Sequence, residues 1–577
     1  MVNPGRPSRG CMTCRRRRVK CDETRPKCNR CIKLSTSCEW RDDWSNVFRD
    51  QEQWAEKKVE KRVERAQNHR KKQQNQLVLK SPAHVPKTKH ENTFGLINPL
   101  AMPQIGAEVY AISQFFVDYG FLKGTCPFTD VVYPLYDSQN APECLKSILP
   151  AVALASIARQ TRRYELMQEA QRQYGRSLKR LAHTLSDPVA LKHDATLATV
   201  YMLSLYEMIC FDSRRNNASP YETHGAGRLA ILRLRGRDQF MTLDGANLFL
   251  ITYLEQLIGA VETRSGEVLE DAPEWISQAF EPPRPIVSHA ILMHDISVFL
   301  KELKDATLKE HVDYNRLEKI FRRGIEIDTM ASELQRIFTD GNVAEMHRFY
   351  ESMDTWRKRS QKESRTPFSL ENHADNSVSP ALPRYTMTEG TEVTSTMDNS
   401  TSREDYFVPE MDAVTIFLVS VTTGTLGNMC RATHMHLLQD LLGVIPHIAS
   451  GVSPVDIVDL DLKSYERKWN SIIAASAIEI YDHIPYAFGE CGATGEKPFI
   501  PVTGMIYRAY LSLWPICTAL NAPQTPHKYK NLLATKLMRM SDIMGIGMAG
   551  EVLANAERDA TMSKHTEEDA KDSYVNT

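Results

Sequence analysis

The sequence predicts a mostly α-helical protein in three parts: a small amino-terminal cysteine module that needs metal to fold, a basic linker, and a large all-helical body with a disordered insertion. Three observations predict it. Six of the 12 cysteines fall between Cys11 and Cys38, while Cys126, Cys144, Cys210, Cys430, Cys491 and Cys517 are scattered over the remainder. Charge is divided along the same line: residues 1–100 carry 24 Lys or Arg against 11 Asp or Glu, a net of +13, and residues 101–577 carry a net of −14. Beyond about residue 94 apolar residues recur at helical spacing, and strand patterns are few. A basic head on an acidic body points to a polyanion as the partner of the head. With 42% hydrophobic and 25% charged residues, the 577-residue chain has a globular composition, neither collagen-like nor wholly disordered nor membrane-embedded.

A short polar lead, MVNPGRPSRG, precedes the cysteines and contains no apolar signal run, so a reducing compartment is expected. Clustered cysteines then read as metal ligands before disulfides. Their spacing is Cys11-x2-Cys14-x6-Cys21-x6-Cys28-x2-Cys31-x6-Cys38, two copies of one unit. A pair separated by two residues brings both sulfurs to one side of a turn, where they can grip one ion. Tetrahedral zinc takes four ligands, so two zinc ions need eight bonds from six sulfurs and two cysteines must bridge. Repeat symmetry makes Cys11 and Cys28, the first of each pair, the candidates. One ion would see Cys11, Cys14, Cys21 and Cys28, and the other Cys28, Cys31, Cys38 and Cys11. Between Arg9 and Arg41 the sizeable apolar residues are only Met12, Val19, Ile32, Leu34 and Trp40. A peptide this short rarely folds without metal or disulfides, and structural zinc contributes on the order of 10 kcal/mol, enough to replace the missing core.

Arg15, Arg16, Arg17, Arg18 and Lys20 follow the second cysteine on one and a half turns of helix, so some face a groove while others meet phosphates. Arg17 and Arg18 are the candidates for base contact, and Arg15, Arg16, Lys20, Arg25, Lys27 and Lys33 for the phosphate backbone. The same basic run suits a nuclear localisation signal.

Residues 10–40, GCMTCRRRRVKCDETRPKCNRCIKLSTSCEW, resemble the binuclear zinc cluster of fungal transcription factors. The resemblance implies two short helices, each followed by an extended segment, joined by a loop whose proline is matched by Pro26. It implies that the helix matching Arg15–Lys20 lies over a CGG triplet in the major groove of double-stranded DNA. The main base-contacting residue of that family is usually a lysine at the position of Arg18; arginine can still bond guanine O6 and N7 in bidentate fashion, with a different reach. The cluster is assigned residues 1–41.

The linker, 42–93, carries a helical pattern near 53–74 in which Ala55, Val59, Val63 and Ala66 form a thin seam beside alternating acidic and basic lines. This reads as a solvated linker helix before a dimer zipper, although it leaves a homodimer open. The body, 94–548, contains an amphipathic helix marked by Met167, Ala170, Tyr174, Leu178, Leu181 and Leu185 and closed by Ser186-Asp187-Pro188. Further helices are predicted at 143–159, 194–210, 247–261, 289–303, 314–338, 465–481 and 532–544. The run 415–421 is β-branched enough for a strand, and periodicity alone does not decide so short a segment. Fifteen of the 43 residues between Ser360 and Ser402 are Ser or Thr, with three prolines, which predicts a disordered insertion. Residues 549–577 are a polar tail. The segment Ala413–Cys430 contains too many Ser, Thr and Gly residues for a bilayer helix.

The body is similar, more loosely, to the regulatory domain that follows such clusters, through LPAVALASIAR (149–159), DATLATVYMLSLYE (194–207) and HGAGRLAILRLRG (224–236). That resemblance implies an all-helical domain that regulates activity, joins transcription machinery or co-regulators, or senses a signal, and it does not imply catalysis. Enzyme motifs are weak. GECGATGEK (489–497) lacks the Gly-Lys-Ser/Thr of a phosphate loop, Cys491 has no base beside it, and His434 and His436 fall on different faces of a helix, as core or surface histidines do. The expectation is a non-enzymatic nuclear regulator of RNA polymerase II transcription that binds promoter DNA. A zinc-containing protein-interaction scaffold that never reads DNA is the alternative.

Overall fold

The computed structural model describes residues 11–17, 19, 21–22, 24, 27–34 and 36–38 of the amino-terminal region. Beyond it the described residues are 106–120, 127–138, 142–211, 225–280, 285–308, 313–340, 343–364, 413–451, 461–490, 504–556 and 558. The chain divides into two units, residues 1–101 and 102–577. The linker helix expected near 53–74 lies outside the described residues, as does the stretch 365–402 of the expected insertion.

The first unit contains two five-residue helices, α1 (Met12–Arg16) and α2 (Asn29–Lys33). Its interior is sulfur: Cys11, Cys14, Cys28 and Cys31 are buried, with Cys21 and Cys38 packed against them. Val19, Ile32 and Leu34 are 36%, 56% and 52% exposed, so none of these apolar side chains supplies a core.

The second unit is helical throughout its described residues, with no strand among them. Helix α3 (Ala107–Tyr119) and helix α4 (Pro127–Asp137) precede a hairpin of α5 (Glu143–Thr161) and α6 (Tyr164–Thr184). Helix α5 is apolar nearly all round, from Cys144 to Ala158, as a helix buried on every side must be. Arg162 ends it in the left-handed conformation (φ 55°), and its N–H bonds the carbonyl of Ala158. The predicted stripe of α6 is found facing inward: Ala170 and Leu181 are buried and Met167, Tyr174, Leu178 and Leu185 pack against the core. Asp187 stops it as expected and caps the next turn, α7 (Pro188–Leu191), by accepting the N–H of Val189 at 2.9 Å.

Helix α8 runs over the predicted Asp194–Cys210, with His193 Nδ1 accepting the N–H of Ala195 at 3.1 Å. It is followed by α9 (Gly225–Arg235), a 3-10 turn (Gly236–Met241) and α10 (Leu243–Thr263). Thr242 caps α10 by accepting from the Gly245 N–H at 3.0 Å, and a Cβ at Gly245 would lie 2.2 Å from the Gln239 carbonyl, so only glycine fits. The remaining helices are α11 (Ala272–Ala279), α12 (Pro285–Thr307), α13 (Tyr314–Asp340), α14 (Val343–Ser364), α15 (Ala413–Gly451), α16 (Leu462–Ala487), α17 (Met505–Asn521) and α18 (His527–Asp542).

Helix α15 packs against α12, α13, α16 and α17 and so lies at the centre of the carboxy-terminal half. The run 415–421 belongs to it: helical continuity overrides the β-branched local preference. No described helix is long and apolar enough to cross a membrane. Two expected boundaries differ. Helix α14 takes in residues 360–364, and helical residues continue past 548 to 556, where Ala549 is buried and Val552 and Ala556 pack against the core.

Buried polar groups link these helices. Asp328 on α13, fully buried, accepts from His434 Nε2 at 2.8 Å, Lys468 Nζ at 2.9 Å and Trp469 Nε1 at 2.9 Å, tying α13 to α15 and α16. Glu255 on α10 accepts from Arg228 of α9 and Tyr510 of α17. His434 also bonds Gln335 through Nδ1 at 2.9 Å, while His436 bonds Thr518 at 3.2 Å and stacks on Trp514, so the two histidines are core residues on different faces of α15. Residues 491–497 lie outside the described residues.

Candidate metal centre

Each half of the first unit is built alike. Cys11 and Cys28 precede helices α1 and α2, and each sulfur accepts an N–H at 3.4 Å, from Cys14 and Cys31 respectively. Each helix is closed by the same bond one repeat apart, from Val19 N–H to the Cys14 carbonyl and from Thr36 N–H to the Cys31 carbonyl, both at 3.1 Å. The period is the 17 residues that separate the two cysteine pairs.

The six sulfurs form two groups of four: Cys11, Cys14, Cys21 and Cys28, and Cys11, Cys28, Cys31 and Cys38. Within each group the ligand atoms lie within 4.8 Å of one another, and Cys11 and Cys28 are common to both. Among the described residues no other group of His, Cys, Asp or Glu is so arranged. Sulfur separations are 3.7 Å for Cys11–Cys28, Cys11–Cys31 and Cys14–Cys28. A tetrahedron with zinc–sulfur bonds of about 2.3 Å has edges of about 3.8 Å, so these pairs are already at zinc spacing. Disulfides are absent among these cysteines.

The thiols are not electrostatically equivalent. Burial pushes Cys14 and Cys31 up, Cys31 to about 12, and the neighbouring sulfurs add to it. Burial also opposes ionisation at Cys11 and Cys28, but the N–H groups of Cys14 and Cys31 and neighbouring thiols outweigh it, and both thiols lie below their ordinary value. Negative charge is thus held more readily at Cys11 and Cys28, the sulfurs common to both groups, than at Cys14 and Cys31. Keeping all six ionised in so small a volume requires cations, and two divalent ions against six thiolates leave a charge of −2.

Arg16, Arg17, Lys27, Arg30 and Lys33 are exposed around this cluster. The backbone of Arg15 is in α1, while its side chain, and Arg18, Lys20 and Arg25, lie outside the described residues. Two side chains not singled out from the sequence connect the halves. Thr13 Oγ1 donates to the Ser37 carbonyl at 2.8 Å, and Asp22 Oδ2 accepts the N–H of Asn29 at 3.0 Å. The hydrogen bonds to Asp22 from Thr24 and Asn29 outweigh burial and hold its carboxyl down to about 2.

Residues 9–45 match the model of the fungal Zn(2)-Cys(6) binuclear cluster domain. Among curated proteins, an uncharacterized transcriptional regulatory protein of Schizosaccharomyces pombe is 28% identical over 150 residues, 26% of each chain. The zinc cluster transcription factor CZF1 of Candida albicans is 50% identical over 44 residues, 7% of this chain and 11% of that one. The aspercryptin biosynthesis cluster-specific transcription regulator atnN of Emericella nidulans is 57% identical over 35 residues, 6% of each. The chain thus spans about a quarter of the length of the first relative and far less of the others. No solved structure matches. The amino-terminal module, with its thiol donor set and sulfur spacing, is a fungal binuclear zinc cluster domain for two zinc ions.

Proposed function

We propose that the protein is a nuclear, sequence-specific DNA-binding regulator of RNA polymerase II transcription. Its zinc cluster holds α1 against the major groove over CGG-type triplets. The observation that carries this reading is the pair of four-sulfur groups, with Arg16 and Arg17 exposed nearby, in a segment matching the fungal cluster domain. In this reading Cys11, Cys14, Cys21, Cys28, Cys31 and Cys38 are the zinc ligands, with Cys11 and Cys28 bridging. Arg17 and Arg18 read bases, and Arg15, Arg16, Lys20 and Lys27 meet the phosphate backbone. The exposure of Arg16, Arg17 and Lys27 is compatible with those contacts.

The second unit is read as the regulatory body. It has helices on which partners could dock, and the similar proteins named above are transcriptional regulators. The linker sets the spacing of two copies if the protein pairs on DNA.

The test is a gel shift of the full chain on CGG-containing duplex against scrambled duplex, with and without zinc. Specific retention of the CGG duplex is expected only with zinc. Arg18→Ala should relax choice at one base and weaken specific binding by about 1–3 kcal/mol, whereas Lys27→Ala should mainly flatten the salt dependence. Equal weakening on all duplexes by both substitutions would remove the groove-reading assignment. A zinc-bound protein with no duplex preference would favour the interaction scaffold.

A further inference from the structure

The six sulfurs are not equally enclosed. Cys11, Cys14, Cys28 and Cys31 are at most 2% exposed, whereas Cys21 and Cys38 are only half-buried. Those two also belong to one four-sulfur group each, Cys21 to the first and Cys38 to the second. Each ends a six-residue spacer, so each must be brought to its ion by ordering a loop with no apolar core beneath it. Such a ligand is the natural first point of metal loss.

Both are tied down by a neighbouring residue. Asp22, next to Cys21, accepts the N–H of Asn29, which follows the shared Cys28. Thr24 Oγ1 donates to the same carboxylate oxygen, and Asn29 Nδ2 donates to Thr24 Oγ1 at 3.2 Å, so the carboxylate is fixed from two sides. Ser37, next to Cys38, is held through its carbonyl by Thr13, which lies between Cys11 and Cys14. The Cys38 sulfur also accepts the Cys28 N–H at 3.3 Å.

The two ties differ in kind: a carboxylate accepting a backbone N–H, and a hydroxyl donating to a backbone carbonyl. The repeat partners of Thr13 and Ser37 are Arg30 and Lys20, and that of Asp22 is Glu39. Two unlike bonds at non-equivalent positions therefore do the same task. A carboxylate beside a cluster of net −2 is also electrostatically unfavourable, which a merely decorative surface residue would avoid.

We propose that Asp22 and Thr13 are positioning residues, each pinning one of the two half-buried sulfurs, so that each governs retention of a different zinc ion. This rests on the two-zinc reading of the six cysteines. Outer-sphere partners of metal ligands commonly affect affinity by 10- to 100-fold, so loss of either tie should be felt at its own sulfur.

The experiment challenges full-length, zinc-loaded protein with excess chelator while iodoacetamide traps each released thiol, and mass spectrometry quantifies the cysteine peptides. Asp22→Ala should speed alkylation of Cys21 about 10-fold while leaving Cys38 within about twofold. Thr13→Val should speed Cys38 to a similar degree, about 10-fold, and leave Cys21 within about twofold. Asp22→Asn and Thr13→Ser, which keep the acceptor and the donor, should restore the original rates, and Ile32→Ala, at an exposed position, should leave them unchanged. Cys144 and Cys430, buried in the body, report that the rest of the chain stays folded. Equal exposure of Cys21 and Cys38 in both variants, no change in either, or failure of the conservative substitutions to restore protection would overturn the proposal. If the unsubstituted protein carries no zinc and its six cysteines react as free thiols, the two-zinc reading fails instead.

Discussion

The two units reach a fixed structure by opposite means. In the first, four sulfurs are enclosed while Val19, Ile32 and Leu34 face solvent. In the second, aliphatic and aromatic side chains from nearly every helix form one cluster, and enclosed charges such as Asp328 and Glu255 meet partners within it. The difference teaches that burial is not a uniform currency: a cation must do in the first unit what hydrocarbon does in the second.

The sharpest way to break this contrast is to remove metal. Chelation, or Cys28→Ser at a sulfur common to both groups, should cost the first unit on the order of 10 kcal/mol. Amide exchange protection in residues 11–38 should vanish while the melting midpoint of the body stays unchanged. A body that melted with it would show that the two are not energetically separate.

Acid should reach the body through its enclosed imidazoles. An unfolded histidine takes up a proton near 6.5, but burial holds His289 down to about 4. Burial, aided by Arg357 for His294 and Arg264 for His436, holds both of those to about 3. The unfolded chain therefore binds more protons below 6.5, and stability present at neutral pH is lost as pH falls from 6.5 toward 4. Asp295, pushed up to about 6 by burial, and Asp118 and Asp244, also raised by burial, work against this, because their folded forms are protonated before their unfolded forms. The three imidazoles outweigh these carboxyls and leave a net loss of several kcal/mol, read as a falling melting midpoint. His294→Gln or His436→Gln should flatten that slope.

Smaller effects compare buried and exposed charge within the body. Arg228→Ala strands the enclosed Glu255 and should lower stability by about 3–5 kcal/mol in urea unfolding, with zinc content unchanged. Arg322→Ala removes a solvent-facing pair with Glu318 at 2.7 Å and should cost less than about 1 kcal/mol.

Much of this architecture was legible in the residues themselves. Cysteine spacing alone led to two groups of four with Cys11 and Cys28 in common, because ligand arithmetic leaves few solutions. Helix α8 fell on its predicted bounds because Asp194 to Cys210 is apolar on most faces and flanked by breaks. Other elements were hidden for physical reasons. Helix α15 was obscured by β-branched residues at 415–421 and by Pro446, although the helix runs unbroken through both. Prolines inside α5, α16 and α17 likewise show that a helix stop read from proline holds only where, as at Pro188, a cap accompanies it. The Asp328 hub, the Arg228–Glu255 pair and the ties made by Thr13 and Asp22 join residues distant in sequence or separated by a loop, and no local pattern announces them.

The sulfur interior of the first unit has a thermal consequence. Unfolding it exposes little hydrocarbon, so its heat-capacity change should be small and calorimetry should register mainly the body. Its folded fraction would then follow the free zinc concentration by mass action far more steeply than temperature. In a cell, the exchangeable zinc pool rather than warmth or cold would set how many copies carry an intact amino-terminal head.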